Sequence, residues 1–296
     1  MTPVSNTLAR ISSDARIEDS VAESRASPTT AASLVGARLA GNALHAFPGP
    51  LPADARAAYA CQDEGIDLWP DAIAGWKVGL VAPELARAWG EDRVTGPIFA
   101  RSVRRSDGSP TLFPVFSGGF AAIEAEFVFV LDRDAPAGKT EWTVAEARDM
   151  VRAVHVGIET AGSPLAAIND LGPAAIVADF GNNAGLILGP ELLGWRTQPL
   201  DAWRCESFVD GASVGRGHAG LLPGGAFESL RFLLVRNARR ARPLRAGDLI
   251  SAGAVTGVHA IVAGQRARVE FEGDGEIRGI AQPFASSATH ASGGPP

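Results

Sequence analysis

Two glutamates, Glu124 and Glu126, interrupt the apolar run Ala-Ala-Ile-Glu-Ala-Glu-Phe-Val-Phe-Val that spans residues 121–130. Read as a strand, the run alternates faces, so the two acids share one side, with carboxylates about 7 Å apart at about 3.3 Å per residue. Val128 and Val130 continue that same side. The face therefore passes from acid straight into core. Like charges entering an interior are costly unless something positive meets them. A divalent metal ion is the natural partner. A solvated strand face is the plain alternative for two glutamates, and the valines on the same side weigh against it.

A third carboxylate, Glu159, ends a second apolar strand, Val154-His-Val-Gly-Ile-Glu. Three carboxylates without histidine or cysteine favour a hard ion such as Mg2+ or Mn2+ over Zn2+. His155 precedes Glu159 by four residues and on a strand shares its face, as an added neighbour or as a packed core histidine. Lys77 lies between Trp76 and Val78 in the short strand 74–80, where a lysine is seldom buried without a partner. It reads either as a surface lysine or as a cation for a substrate carboxylate or proton transfer. Asp179-Phe-Gly-Asn-Asn183 follows the apolar run 174–178, read as a strand. Locally this composition makes a turn, and it puts hydrogen-bonding side chains where ligands often bind.

Composition narrows the classes. A net charge of −6 leaves no electrostatic footprint for nucleic acid. The cluster Arg236, Arg239, Arg240, Arg242 and Arg245 reads as a solvated helix end. Cys61 and Cys205 are far apart in sequence, so no disulfide framework is implied and a reducing cytoplasm is expected. No apolar run reaches membrane-spanning length, and the first residues lack a hydrophobic signal core. Gly215-Arg-Gly-His-Ala-Gly220 matches a dinucleotide-binding pattern, but Pro223, Gly224 and Gly225 break the helix that should open there.

Residues 1–28 and 286–296 read as flexible tails, 29–100 as a helical N-terminal region and 101–285 as the main domain. Helices are expected over 30–45, 53–68, 83–89 and 226–238, and from a capping box at Thr143-Val-Ala-Glu146 to about Arg152. An Asp210-Gly211 hairpin turn joins two strands, and further strands are expected over 248–251, 267–271 and 276–280. The fold class is α+β, dominated by strands.

Taken in order, Gly75-Trp-Lys-Val-Gly79, Glu124-Ala-Glu126, Gly157-Ile-Glu159, Ala178-Asp-Phe-Gly-Asn-Asn183 and Leu244-Arg-Ala-Gly-Asp-Leu-Ile-Ser-Ala-Gly253 with Thr256-Gly257 resemble the fumarylacetoacetate hydrolase superfamily. The resemblance covers about residues 30–285 and points to the 2-keto-4-pentenoate hydratase and 2-oxo-3-hexenedioate decarboxylase branch. It implies a mixed β-roll with a small helical N-terminal region. It implies Mg2+ or Mn2+ held by Glu124, Glu126 and Glu159, catalytic roles for Lys77 and Asp179, and substrate contacts from Asn182, Asn183 and Thr256. The implied reaction is hydration of a 2-hydroxy-2,4-dienoate or 2-oxo acid through a metal-stabilised enolate. A 2-oxo acid decarboxylase, an acylpyruvate C–C hydrolase and a non-catalytic metal-stabilised binding protein are the alternatives. Ala100 and Arg101 stand where hydratases of this branch carry an acidic pair. Homo-oligomeric assembly is a further expectation of the resemblance.

Overall fold

The structure is a computed structural model that describes residues 28–284. The two tails expected from sequence therefore lie, Pro28 apart, outside the described residues. In chain order the elements are α1 (Thr30–Ala40), α2 (Ala55–Leu68), β1 (Ile73–Leu80), α3 (Pro83–Trp89), β2 (Arg93–Phe99), β3 (Val103–Arg105), β4 (Thr111–Val115), β5 (Phe120–Leu131), α4 (Val144–Arg148), β6 (Val151–Ser163), α5 (Pro173–Ala178), β7 (Asn183–Glu191), β8 (Arg204–Val209), β9 (Ala212–His218), α6 (Ala226–Arg239), β10 (Leu249–Ser251), β11 (His259–Ala260), β12 (Arg266–Phe271) and β13 (Gly275–Pro283).

One curled sheet runs β2-β1-β10-β5-β6-β7-β3, with β11 added to the end of β5, and a second runs β4-β13-β12-β8-β9. This is the mixed α+β roll that the motif order implies. Strand β5 is buried on both sides, which is why its sequence is nearly continuously apolar. Phe127, Phe129 and Leu131 enter the main core, where Phe129 stacks on Phe227 of α6 at 4.8 Å. On the opposite face Val128 and Val130 pack with Ile98, Leu186, Leu188 and Leu249. Glu124 and Glu126 lie one turn of the pleat further along that second face, with Glu124 directly opposite Glu159 of β6.

Several local expectations change. Strands β1 and β2, from the N-terminal region, are part of the large sheet, where β1 pairs with β10. Helix α1 ends at Ala40 because Gly41 takes a left-handed φ of 68° and caps it. Helix α4 ends at Arg148, a turn follows at Asp149 and Met150, and Val151 and Arg152, expected to prolong the helix, begin β6 instead. Ala174–Ala178 belongs to a helix, α5, opened by Pro173 at its first turn. A five-residue apolar run carries no period that separates helix from strand. The arginines at the end of α6 are solvated only in part, Arg239 and Arg245 being exposed. Arg240 and Arg242 bond Asp63 of α2 at 2.8 and 2.5 Å, and Arg236 pairs with Glu91. The glycine-rich stretch at 215–220 runs along β9 and opens no helix of the length a dinucleotide site requires, as expected. Among the described residues, no helix is long and apolar enough to cross a membrane.

Candidate active site

The register of four strands assembles the acidic cluster. Lys77 of β1 lies opposite Ser251 of β10, Ser251 opposite Val128 of β5, and Glu124 opposite Glu159. Side chains opposite one another share a face. The carboxylates of Glu124, Glu126 and Glu159 converge, each offering an oxygen within 4.8 Å of the other two. All three are buried, as is Lys77, whose Nζ lies 3.4 Å from Glu159 Oε1.

Each carboxylate is held differently. Ser251 Oγ donates to Glu126 Oε2 at 2.5 Å, and the Gly253 N–H donates to the same oxygen at 2.8 Å. Asn183 Nδ2 donates to Glu159 Oε1 at 3.0 Å. Glu126 Oε1 and Glu159 Oε2 are buried with no hydrogen-bond partner. Buried carboxylate oxygens without partners are unfavourable. Three carboxylates and one ammonium leave a formal charge of −2 in one enclosed space, which one divalent cation would neutralise. The donor set, oxygen only, suits a hard ion.

Electrostatics follow from this crowding. Burial pushes the Glu124 carboxyl up to about 7, with Lys77 pulling it down and Glu159 pushing it further up. Burial together with the charges of Glu159 and Glu124 holds Glu126 well above its usual value. For Lys77, burial opposes the charged form, but Glu159, Glu124 and Glu126 outweigh it and keep the amine protonated well beyond its ordinary range.

Beside the cluster opens a pocket of about 240 Å³. Lys77 and Glu124 form its charged wall, while Leu80, Val94, Phe120, Ile176 and Val258 form its apolar walls. Asn182 completes it, its Nδ2 bonded to Asn169 Oδ1 at 2.9 Å and its own Oδ1 buried without a partner. Asn182 arrives through a tight turn in which Phe180, Gly181 and Asn182 have φ of 57°, 66° and 62°. Three successive left-handed residues are rare, and two of these are not glycine. The turn rests on Gly96 of β2, where a Cβ would come within 2.0 Å of the Phe180 carbonyl oxygen.

Lys77, Glu124, Glu126, Glu159, Asn182 and Asn183 thus meet in one place. Three expected neighbours do not. The Asp179 carboxylate is bound to Arg38 of α1, with Oδ1 2.5 Å from Nε, and does not line the pocket. Thr256 Oγ1 bonds Ser207 Oγ at 2.8 Å and His259 Nε2 at 3.1 Å, while Ala254, Gly257 and Val258 of its segment line the pocket. His155 shares the face but sits opposite Val128, two register positions from the Glu126–Gly157 pair, with Nδ1 3.0 Å from the Gly189 carbonyl.

Sequence reading missed Arg38, which is fully engaged. It donates to Asp179 Oδ1 and to the carbonyls of Asp179, Asn183 and Gly162. The signal was available: Arg38 follows Leu34 by four residues and shares its buried face, whereas Leu39 is exposed. Asn169 and Ser251 carried no local signal, because only the turn and the β10–β5 register bring them to the site.

No family model matches the chain. It is 30% identical over 229 residues, 76% of its length, to a 2-keto-4-pentenoate hydratase of Burkholderia vietnamiensis, of which 85% is covered. Among solved structures it resembles 4-oxalocrotonate decarboxylase from Pseudomonas putida G7, complexed with magnesium and adipate. That likeness has a TM-score of 0.72 and 18% identity, covering 85% of this chain and 95% of that one. Fumarylpyruvate hydrolase from Pseudomonas aeruginosa, in complex with Mn2+ and pyruvate, matches with a TM-score of 0.52 and 19% identity over 71% of this chain and 89% of that one. The roll and its buried carboxylate cluster define a protein of fumarylacetoacetate hydrolase type. Within that superfamily the chain belongs to the 2-keto-4-pentenoate hydratase family.

Proposed function

We propose that this protein is a divalent-metal-dependent hydratase acting on a 2-hydroxy-2,4-dienoate or its 2-oxo tautomer. The observation that carries the reading is the convergence of Glu124, Glu126 and Glu159 beside the buried Lys77 ammonium. Family membership agrees with it. Glu124, Glu126 and Glu159 would hold Mg2+ or Mn2+, which when bound supplies Lewis-acid polarisation of a 2-oxo group.

The chain's own groups do the rest. Lys77, held protonated, serves as a cation for the substrate carboxylate and as a proton donor, not as a resting base. Ser251 and the Gly253 N–H fix Glu126, and Asn183 fixes Glu159, so the carboxylates need not reorganise. The unpartnered Asn182 Oδ1 can accept a hydrogen bond from a water or hydroxyl in the pocket. Leu80, Val94, Phe120, Ile176 and Val258 exclude bulk water and receive the substrate's tail. Asp179 and Thr256 act at one remove: Asp179 anchors the turn through Arg38, and Thr256 pins the segment that carries Gly257 and Val258.

The lining also favours hydration over decarboxylation. Among the described residues, Lys77 is the only cationic side chain lining this pocket. A second carboxylate at the far end of a dicarboxylic substrate would meet apolar walls, which is unfavourable. A short monocarboxylic dienoate meets no such difficulty. A cytoplasmic, homo-oligomeric enzyme belongs to the same reading.

The test is incubation with 2-hydroxypenta-2,4-dienoate with and without Mg2+, followed by mass spectrometry. A metal-dependent product heavier by one water is the expected result. Loss of CO2 from a dicarboxylic analogue at comparable kcat/KM would overturn the choice of reaction. No turnover of either compound would favour the metal-stabilised binding protein.

A further inference from the structure

Beside the Phe180–Asn182 turn lies a second cavity of about 260 Å³, which touches the carboxylate cluster only through Asn183, the residue whose side chain holds Glu159. It shares no lining residue with the first pocket. Its walls are aromatic on two sides. Trp69, Phe99 and Phe180 form one cluster, with ring centroids 5.0–5.5 Å apart. Phe116 and Phe284 stack at 5.3 Å to form the other. The Arg38 guanidinium bridges the two, 5.7 Å from the Phe116 ring and 5.3 Å from the Phe180 ring.

The charges of this slot are unbalanced. Arg38 is fully committed to Asp179 and three carbonyls, and Asp71 to the Arg101 amide and side chain. Arg104 also lines the slot and is half-buried, yet among the described residues it has no carboxylate partner. Its only side-chain hydrogen bond is a long one to the Ser102 carbonyl at 3.3 Å. Burial lowers its pKa, which marks a guanidinium removed from water without a compensating anion.

A flat apolar body between two ring walls, with one anionic group at the rim facing Arg104, complements every part of this slot. The volume equals that of about eight or nine waters at about 30 Å³ each, the class of a single-ring acid. We propose that the slot is a binding site for an aromatic monocarboxylate, separate from the site at the carboxylate cluster.

The experiment uses the full chain freed of metal with EDTA, and benzoate as the probe. Calorimetry should show saturable binding of one benzoate per chain. Arg104→Met should weaken it about tenfold or more while the circular dichroism spectrum is unchanged, since the residue is only half-buried. Phe284→Ala should weaken it independently, by removing one ring wall. Benzamide, with the ring but no charge, and acetate, with the charge but no ring, should each bind at least tenfold more weakly. Mn2+ with oxalate, which would occupy the carboxylate cluster, should leave benzoate binding unchanged. The proposal is overturned if benzoate does not saturate, if Arg104→Met binds it as the parent does, or if Mn2+ and oxalate displace it.

Discussion

Lys77 illustrates how far one residue's surroundings decide its chemistry. A buried lysine is usually driven toward the neutral amine, but here three carboxylates reverse that tendency. In the proposed function this gives a division of labour among four charged side chains, in which the glutamates would hold a cation and the lysine would receive an anion. Lys77→Met should therefore lower kcat/KM by about 10²–10³-fold, the scale on which a preorganised charge contact acts. Mn2+ affinity, followed by electron paramagnetic resonance, should be undiminished or increased, because a competing positive charge has gone. A parallel loss of Mn2+ binding would show that the lysine holds the cluster and not the substrate. Asn183 makes the complementary case. Its side chain orients Glu159, so Asn183→Ala should weaken metal binding about tenfold while leaving Lys77 in place.

At the scale of elements, the turn between α5 and β7 carries the most information. Gly181 has a φ of 66°, and a Cβ there would lie 3.0 Å from the Gly96 backbone and 3.3 Å from Lys77 Cδ. Gly181→Ala should cost about 1–2 kcal/mol of stability, measured by urea unfolding, and should lower turnover beyond what that loss explains. The same turn marks the limit of sequence reading. Glu124 and Glu126 were legible because a period of two within an apolar run needs no tertiary information. Lys77 and Glu159 were legible for the same reason, each being a charge out of place in a strand. Asp179 was visible as a residue, but its role depends on Arg38, which lies 141 positions away in sequence. Local patterns cannot encode such a pairing. Nor could they distinguish α5 from a strand, since its length is below the point at which periods diverge.

At the scale of the whole molecule, the carboxylate cluster links stability, pH and metal. The Glu124 carboxyl, raised in the fold from 4.5 to about 7, binds its proton more tightly folded than unfolded. Its contribution to the metal-free fold is thus fully present below 4.5 and is lost as the pH climbs toward about 7. Glu126 shifts in the same direction. A metal ion replaces the protons, so Mg2+ should raise the thermal midpoint more at pH 8 than at pH 5.5. Calorimetry in buffers of different ionisation enthalpy should record proton release on binding. An equal thermal shift at both pH values would contradict the arrangement. Global stability has a second dependence, on the first helix. Arg38→Met leaves Asp179 buried without its cation and should cost about 3–5 kcal/mol.

That arginine has a consequence for how the chain can be altered. One guanidinium donates to oxygens of β6, of the end of α5 and of the start of β7, and the residue whose carbonyl it holds, Asn183, grips Glu159 with its side chain. Only two hydrogen-bonded links separate the opening helix from the candidate metal ligand. Residues 29–41 are therefore not an appendage that could be trimmed or exchanged for another helix of similar length. A chimera that replaces them would keep its sheet yet lose the grip on its own cluster, unless the incoming helix carried an arginine at the same point of its buried face.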